Sequence, residues 1–335
     1  MKWLKDIFAR TYFILGLYNL SLRKKIKEKS ITVLCFHLVN NDSKLSYPAL
    51  RVSEFENILK YLKTNYTIIS FDDIEKCLSV PASANEKPFC IISFDDGYRD
   101  FYENALPLLK KYDFVSNLNV VYDAVEKNDL IWTQKIHCIL EHLMLNENIS
   151  ELNINNVHYK ITPDNLARVS NDIINDLLNK DDKHRNSFIE DLLKYAKKKI
   201  DLTPVMNWID VLDSQLKNVI IGSHTLSHAA FNERSGDEYL TREIVNSKTE
   251  IEERVKKKID IIALPNGLFN KTVIEKCCDT GYKYILLVEG GYKSVTAYKG
   301  SFLVKRVLIH HNNFYENVLD IEHVYFYIKR IFGKK

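Results

Sequence analysis

The sequence predicts an α/β protein, a parallel sheet or barrel walled by helices, and three observations carry that expectation. Short apolar runs and amphipathic stretches alternate from Ile31 onward, in the βαβα order that produces parallel strands. The alternation stops near Asn128 and resumes at Val219, so a different kind of sequence separates two sheet-forming blocks. Acidic residues follow one apolar run and histidines another, and α/β folds gather their chemistry at the carboxyl ends of strands.

Residues 1–30 form an expected unit of their own. Trp3, Leu4, Ile7, Phe8, Tyr12, Leu15 and Tyr18 recur at helical spacing. Lys2, Lys5 and Arg10 flank them, and Arg23, Lys24, Lys25 and Lys27 follow. The apolar stretch 11–22 is too short to span a bilayer comfortably. No small-residue cleavage site follows it, as an export signal would require. The pattern fits an amphipathic helix on an anionic membrane surface through residues 2–29, or a helix docked on the protein's own core.

In the first block, residues 31–36 read as a strand and 53–63 as a helix. Ser53 is its expected N-cap, and Glu56 three residues on completes a capping box. A strand at 66–69, a short helix at 72–78 and a loop at 81–88 follow. Next come a strand at 89–94, a helix at 101–112 and a strand at 115–121. The barrel is therefore expected to comprise residues 31–127 and 211–335, with 128–210 as a helical insertion. Within the insertion, Ile136, Ile139, Leu140 and Leu143 make one apolar stripe, and Ile173, Ile174, Leu177 and Leu178 another. A hairpin is expected near 152–161. His137, His142, His158 and His184 lack ligand spacing and are expected at the surface or in packing, and Trp132 in a core, with stacking in a sugar site as its alternative. The second block reads as a strand at 219–221 and a charged helix at 237–257 with a Glu250–Arg254 pair. A strand at 259–264, a helix at 269–278, strands at 284–288 and 302–309, and a helix at 317–332 complete it.

Composition narrows the function classes. At 335 residues with a net charge of +3, the chain carries no nucleic-acid footprint. Its six cysteines, two of them the adjacent Cys277 and Cys278, show neither a disulfide framework nor a C-x-x-C zinc motif. That usage fits a reducing, cytoplasmic compartment, at the inner face of the membrane if the first helix binds lipid, rather than an exported form.

Two strings carry the chemistry. Ser93-Phe94-Asp95-Asp96-Gly97 places two carboxylates after an apolar run, and His224-Thr225-Leu226-Ser227-His228 spaces two imidazoles at i, i+4. On one helical turn both rings would point the same way. Alone, Asp-Asp-Gly is ordinarily a turn, and an H-x-x-x-H pair arises by chance on solvated helices. Together, one carboxylate and two histidines give the ligand count of a catalytic divalent-metal site with open positions. The second aspartate is then left for proton chemistry.

These two strings resemble the first two motifs of the polysaccharide deacetylases, the NodB-homology or carbohydrate esterase 4 family. Ala263-Leu264-Pro265-Asn266-Gly267 looks like the third motif, and Asp279-Thr280-Gly281-Tyr282 like the segment after it. Val33-Leu34-Cys35-Phe36-His37-Leu38-Val39 is similar to the opening of the branch that deacetylates poly-N-acetylglucosamine. Many members carry an arginine before the proline of the third motif, where this chain has Leu264. The resemblance implies a distorted (β/α) barrel and a metal-dependent hydrolase. It would remove N-acetyl groups from an amino sugar in a polysaccharide, such as a bacterial envelope polysaccharide, or in a lipid-linked glycan. It assigns Asp96, His224 and His228 to one divalent metal (zinc, or cobalt, nickel or manganese) and Asp95 to the general base. The oxyanion falls to the backbone N–H of Asn266 after Pro265. His37 resembles the acid of that branch, and His310 or His311 is the rival. From its position on the last strand, Arg306 is expected to support Asp95. Alternatives are an O-acetyl esterase, a non-sugar amidase, or a non-catalytic carbohydrate-binding protein.

Overall fold

The computed structural model describes residues 2–42, 44–79, 86–200, 205–233, 235–288 and 294–325. Strands β1 (Ile31–Phe36), β2 (Thr67–Ile68), β3 (Phe89–Phe94) and β4 (Ser116–Val120) come from the first block. The insertion holds the hairpin β5 (Glu151–Ile154) and β6 (Val157–Lys160). The second block supplies β7 (Val219–Ser223), β8 (Ile261–Ala263), β9 (Tyr284–Leu287), β10 (Val295–Tyr298), β11 (Ser301–Lys305) and β12 (Val307–Leu308). All six residues of β1 are buried, as expected for a strand covered on both faces.

The main sheet runs β10-β11-β9-β8-β7-β4-β3-β1-β12. Its ladders are parallel except for the β10–β11 pair. Its two ends meet through one segment. Phe302 to Lys305 pair with β9, and Val307 and Leu308, two residues further on, pair with Leu34 and Cys35 of β1. Arg306 lies between these two pairings, and this segment closes the sheet into a distorted barrel.

The helices are α1 (Lys2–Ile14), α2 (Tyr18–Lys27), α3 (Val52–Asn65), α4 (Ile74–Ser79), α5 (Leu106–Tyr112), α6 (Tyr122–Lys127) and α7 (Trp132–Asn146). They continue as α8 (Leu166–Leu177), α9 (Asp182–Leu193), α10 (Trp208–Gln215), α11 (Asp237–Leu240), α12 (Ser247–Val255), α13 (Lys271–Asp279) and α14 (Phe314–Ile321). Wider π turns lead into α5 (Phe101–Ala105) and join α11 to α12 (Thr241–Asn246). Trp132, Ile136, Leu140, Leu152, Ile173, Phe188 and Leu192 build a separate core within residues 128–210.

Several expectations need correction. The single N-terminal helix is two, broken where Gly16 takes φ +65°. Phe13 packs edge-on against Phe314 at 5.2 Å, and α2 buries Lys25 against Tyr66 and Glu322. The inner side of this segment is therefore docked, while Trp3, Leu4, Ile7, Ile14 and Leu20 face outward. Helix α3 starts one residue early, and Ser53 caps nothing. Asn41 and Asn312 instead accept the N–H groups of Val52 and Arg51. Arg254 bonds Glu126 at 2.6 Å, because packing of α12 beside α6 offers a carboxylate from another element. Helix α14 ends at Ile321, Val324 and Tyr325 are helical again, and the rest of the expected helix, 326–332, lies outside the described residues. So does most of the expected 81–88 loop. Among the described residues, no helix is long and apolar enough to cross a membrane.

Candidate active site

The end of β3 builds the site by breaking its own pattern. Along an extended strand, neighbouring side chains point to opposite faces. Asp96 takes φ +74° and Gly97 φ +77°, so the chain turns sharply and both Asp95 and Asp96 line one cavity. A left-handed aspartate is strained by about 1–3 kcal/mol, a strain found where surrounding structure and function impose it.

Asp95 is fully engaged. The Arg306 guanidinium reaches it bidentately, Nη1 to Oδ1 at 2.8 Å and Nη2 to Oδ2 at 2.7 Å. Asn119 Nδ2 donates to Oδ1 at 2.8 Å. Asn119 needs the bare backbone of Gly222 beside it, since a Cβ there would lie 2.2 Å from its Oδ1. Burial alone would raise the Asp95 carboxyl, but Arg306 outweighs it and holds the group far below the usual carboxylate range.

Asp96 faces the histidines. Its Oδ1 lies 3.2 Å from His224 Nε2 and 3.6 Å from His228 Nε2. His224 Nδ1–H donates to the Ala263 carbonyl at 2.8 Å, which leaves the Nε2 lone pair directed at Asp96. Asp96 Oδ1 has no hydrogen-bond partner among the described residues although it is buried. Burial pushes His228 down to about 3, so its ring is neutral at neutral pH. Two imidazole nitrogens and one carboxylate oxygen within 4.8 Å of one another fit a divalent cation, and such a set leaves positions open. A second cluster, Cys35, His37 and Asp95, is as compact but does not fit one. Its carboxylate is already saturated by Arg306 and Asn119, and the guanidinium repels a cation.

The two histidines are not on a helical turn, as their spacing suggested. Residues 224–228 form a loop after β7, with Thr225 at φ +68° and His228 at φ +60°. The loop is pinned from within and outside. Thr225 Oγ1 accepts the Ala229 N–H at 2.9 Å, and Glu243 accepts the N–H and hydroxyl of Ser227 at 2.9 and 2.8 Å. Side-chain bonds replace the helical ladder, and the rings still converge, 5.1 Å apart.

His37, just past β1, lines the same cavity of about 280 Å³ as Asp95, Asp96, His224, His228 and Asn266. Asn266 follows the buried Pro265 and takes φ +59°. His310 does not line this cavity, and His311 is turned to Asp320 at 3.1 Å. Arg306 meets Asp95 as its strand position suggested. Sequence reasoning missed Asn119, Tyr47, Tyr98 and His137. The signal for Asn119 was a pair of asparagines, 117 and 119, alternating within a buried strand. His137 is buried and lines the cavity, because α7 lies across the barrel mouth.

Fold and site together define an α/β barrel with a buried His-His-Asp cluster at its mouth. The sequence profile of the polysaccharide deacetylase family matches residues 161–285, a span holding His224, His228 and Pro265 but not Asp95 or Asp96. The putative polysaccharide deacetylase YxkH of Bacillus subtilis (strain 168) is 26% identical over 121 residues, 36% of this chain and 42% of that protein. The chain thus spans less than half the length of this curated relative. The Streptococcus pyogenes deacetylase PplD superposes with a TM-score of 0.57 at 18% identity, over 88% of this chain and 98% of that one. IcaB from Ammonifex degensii gives 0.56 at 14% identity, over 88% and 97%. At such identities the structures speak to a shared fold. The chain is thus similar in sequence to the polysaccharide deacetylases over residues 161–285, and similar in fold to solved deacetylases over most of its length.

Proposed function

We propose that the protein is a divalent-metal-dependent deacetylase that removes the acetyl group from an N-acetylated amino sugar of a polysaccharide or lipid-linked glycan. The observation that carries this reading is the convergence of Asp96, His224 and His228 beside an Asp95 locked in its ionised form. A divalent ion, zinc for preference, supplies Lewis acidity to the acetyl carbonyl and to attacking water. Asp95 accepts the water proton, and Arg306 and Asn119 fix its orientation. The backbone N–H of Asn266 donates to the developing oxyanion. His37, on the cavity wall, protonates the departing amine.

The test is acetate release from N-acetylglucosamine oligomers before and after chelation. Activity should vanish with the metal and return on adding zinc. Release that survives complete chelation, or release from O-acetylated sugars alone, would sink the reading.

The outer face of α1 supports peripheral attachment to the cytoplasmic leaflet. Trp3, Leu4 and Ile7 are 65%, 55% and 49% exposed, beside the basic Lys5 and Arg10. Trp3→Ser with Ile7→Ser should weaken binding to phosphatidylserine vesicles in sedimentation, with folding unchanged because Phe13 and Lys25 remain docked. Equal sedimentation of variant and parent would remove the membrane from the proposal.

A further inference from the structure

Helix α7, the first of the insertion, reaches the active-site cavity with Thr133, Gln134 and His137. It is fastened on two sides. Trp132 Nε1 donates to the His228 carbonyl at 3.0 Å, tying the helix start to the metal-ligand loop. Glu141 accepts the Leu45 and Ser46 N–H groups at 3.1 and 3.2 Å and the Ser46 hydroxyl at 2.7 Å. That latch holds the loop after His37 and brings the Tyr47 ring to 5.3 Å from the His137 ring. The cavity is therefore walled by the barrel, by the His37–Tyr47 segment and by the insertion.

His137 is 3% exposed, yet its Nδ1 has no hydrogen-bond partner among the described residues. Buried polar groups in folded proteins are nearly always paired. Burial pushes its imidazole down to about 4, so at neutral pH it is an uncharged donor and acceptor. Such a group suits a hydroxyl or amide better than a phosphate or carboxylate. The cavity, about 280 Å³, is close to the lower limit of small-molecule pockets, roughly 300–1,000 Å³. It matches one sugar ring rather than a run of them.

We propose that α7 is the substrate-recognition wall of this site and that His137 hydrogen-bonds the single N-acetylhexosamine unit seated over Asp95 and Asp96. The inference rests on the deacetylase reading and adds which part of the chain selects the sugar. His137 contributes binding, with no role in proton transfer.

Steady-state kinetics of His137→Leu test it, with a short N-acetylglucosamine oligomer and an aryl acetate as paired substrates. KM for the oligomer should rise about tenfold, the loss of one good hydrogen bond, while kcat and metal content hold. The ratio of sugar to ester activity should fall by the same factor, and His137→Gln, a neutral donor and acceptor, should recover most of it. N-acetylglucosamine binding to metal-free protein, followed by NMR, should weaken in parallel. Should His137→Leu fold poorly, Gln134→Leu on the same wall is read in its place. An unchanged KM, or equal loss on sugar and ester, overturns the proposal. A parent protein that cleaves the ester but neither binds nor deacetylates the sugar overturns the deacetylase reading itself, and this inference with it.

Discussion

The barrel and the insertion meet at one cavity by opposite physical means. Barrel residues arrive on strand ends and distorted loops. Asp96, Thr225, His228 and Asn266 all take left-handed backbone, and Asp95 sits in a buried charge pair. The insertion offers Gln134 and His137 from one regular helix whose residues have no positive φ. The difference separates two demands. In the barrel, convergent charge is assembled from several strand ends and loops, and the backbone turns sharply to bring it together. Contacting a neutral sugar needs only a few well-placed polar groups, and an ordinary helix is enough.

The comparison is tested most severely at Asp95. Asp95→Asn should keep the metal, since Asp96, His224 and His228 are untouched, and lower kcat by roughly 10²–10⁴-fold, the range for lost general base catalysis. Metal analysis and steady-state kinetics on one preparation decide it. Metal loss with an intact fold would mean that both aspartates serve as ligands.

Arg306→Met should come next. It leaves a buried carboxylate unpaired, which destabilises a fold by about 3–5 kcal/mol in denaturant titration. The pH response should invert. In the parent, the folded-state pKa of Asp95 lies below its unfolded value, so the stabilisation is present above about pH 4 and is lost as pH falls further. Without Arg306, burial raises the carboxyl. Stability should then decline as pH rises above about 4, and the acid limb of kcat/KM should move upward. A profile identical to the parent's would show that Asn119 alone holds the base.

The smallest effect should belong to the insertion. Glu141→Ala removes the acceptor of two N–H groups and a hydroxyl, for about 1–3 kcal/mol. KM for the sugar should rise with Tyr47 released, and metal content should stay constant. Loss of metal instead would mean that the latch supports the barrel's ligands and not the wall.

What the sequence made legible follows the same division. Asp95, Asp96, His224 and His228 stand out because two acids or two imidazoles directly after buried strands have few structural uses. The strands were readable for the related reason that both their faces are covered, which forces continuous apolar runs such as 31–36 and 89–94. The loop conformation of 224–228 was not readable, because Glu243 fixes it from sixteen residues away. His137 was not readable either. On a sequence it is one histidine on an amphipathic helix, and only the packing of α7 over the barrel gives it a neighbourhood. The start of α3 was misjudged because Ser53 is a good local cap, while Asn41 and Asn312 reach the helix from elsewhere.

The strand that closes the barrel has a consequence for how the site comes into being. Val307 and Leu308 pair with Leu34 and Cys35, so the final staple joins residues from opposite ends of the barrel sequence. Contacts of such long sequence separation form late and slowly. Arg306 lies between the two strands of the closing segment, and it supplies the cation that pairs with the buried Asp95. A chain without residues 301–308 lacks both the segment that joins β9 to β1 and the guanidinium that pairs with Asp95. Completion of the fold and the gain of a usable carboxylate are then a single event, set by the arrival of one arginine.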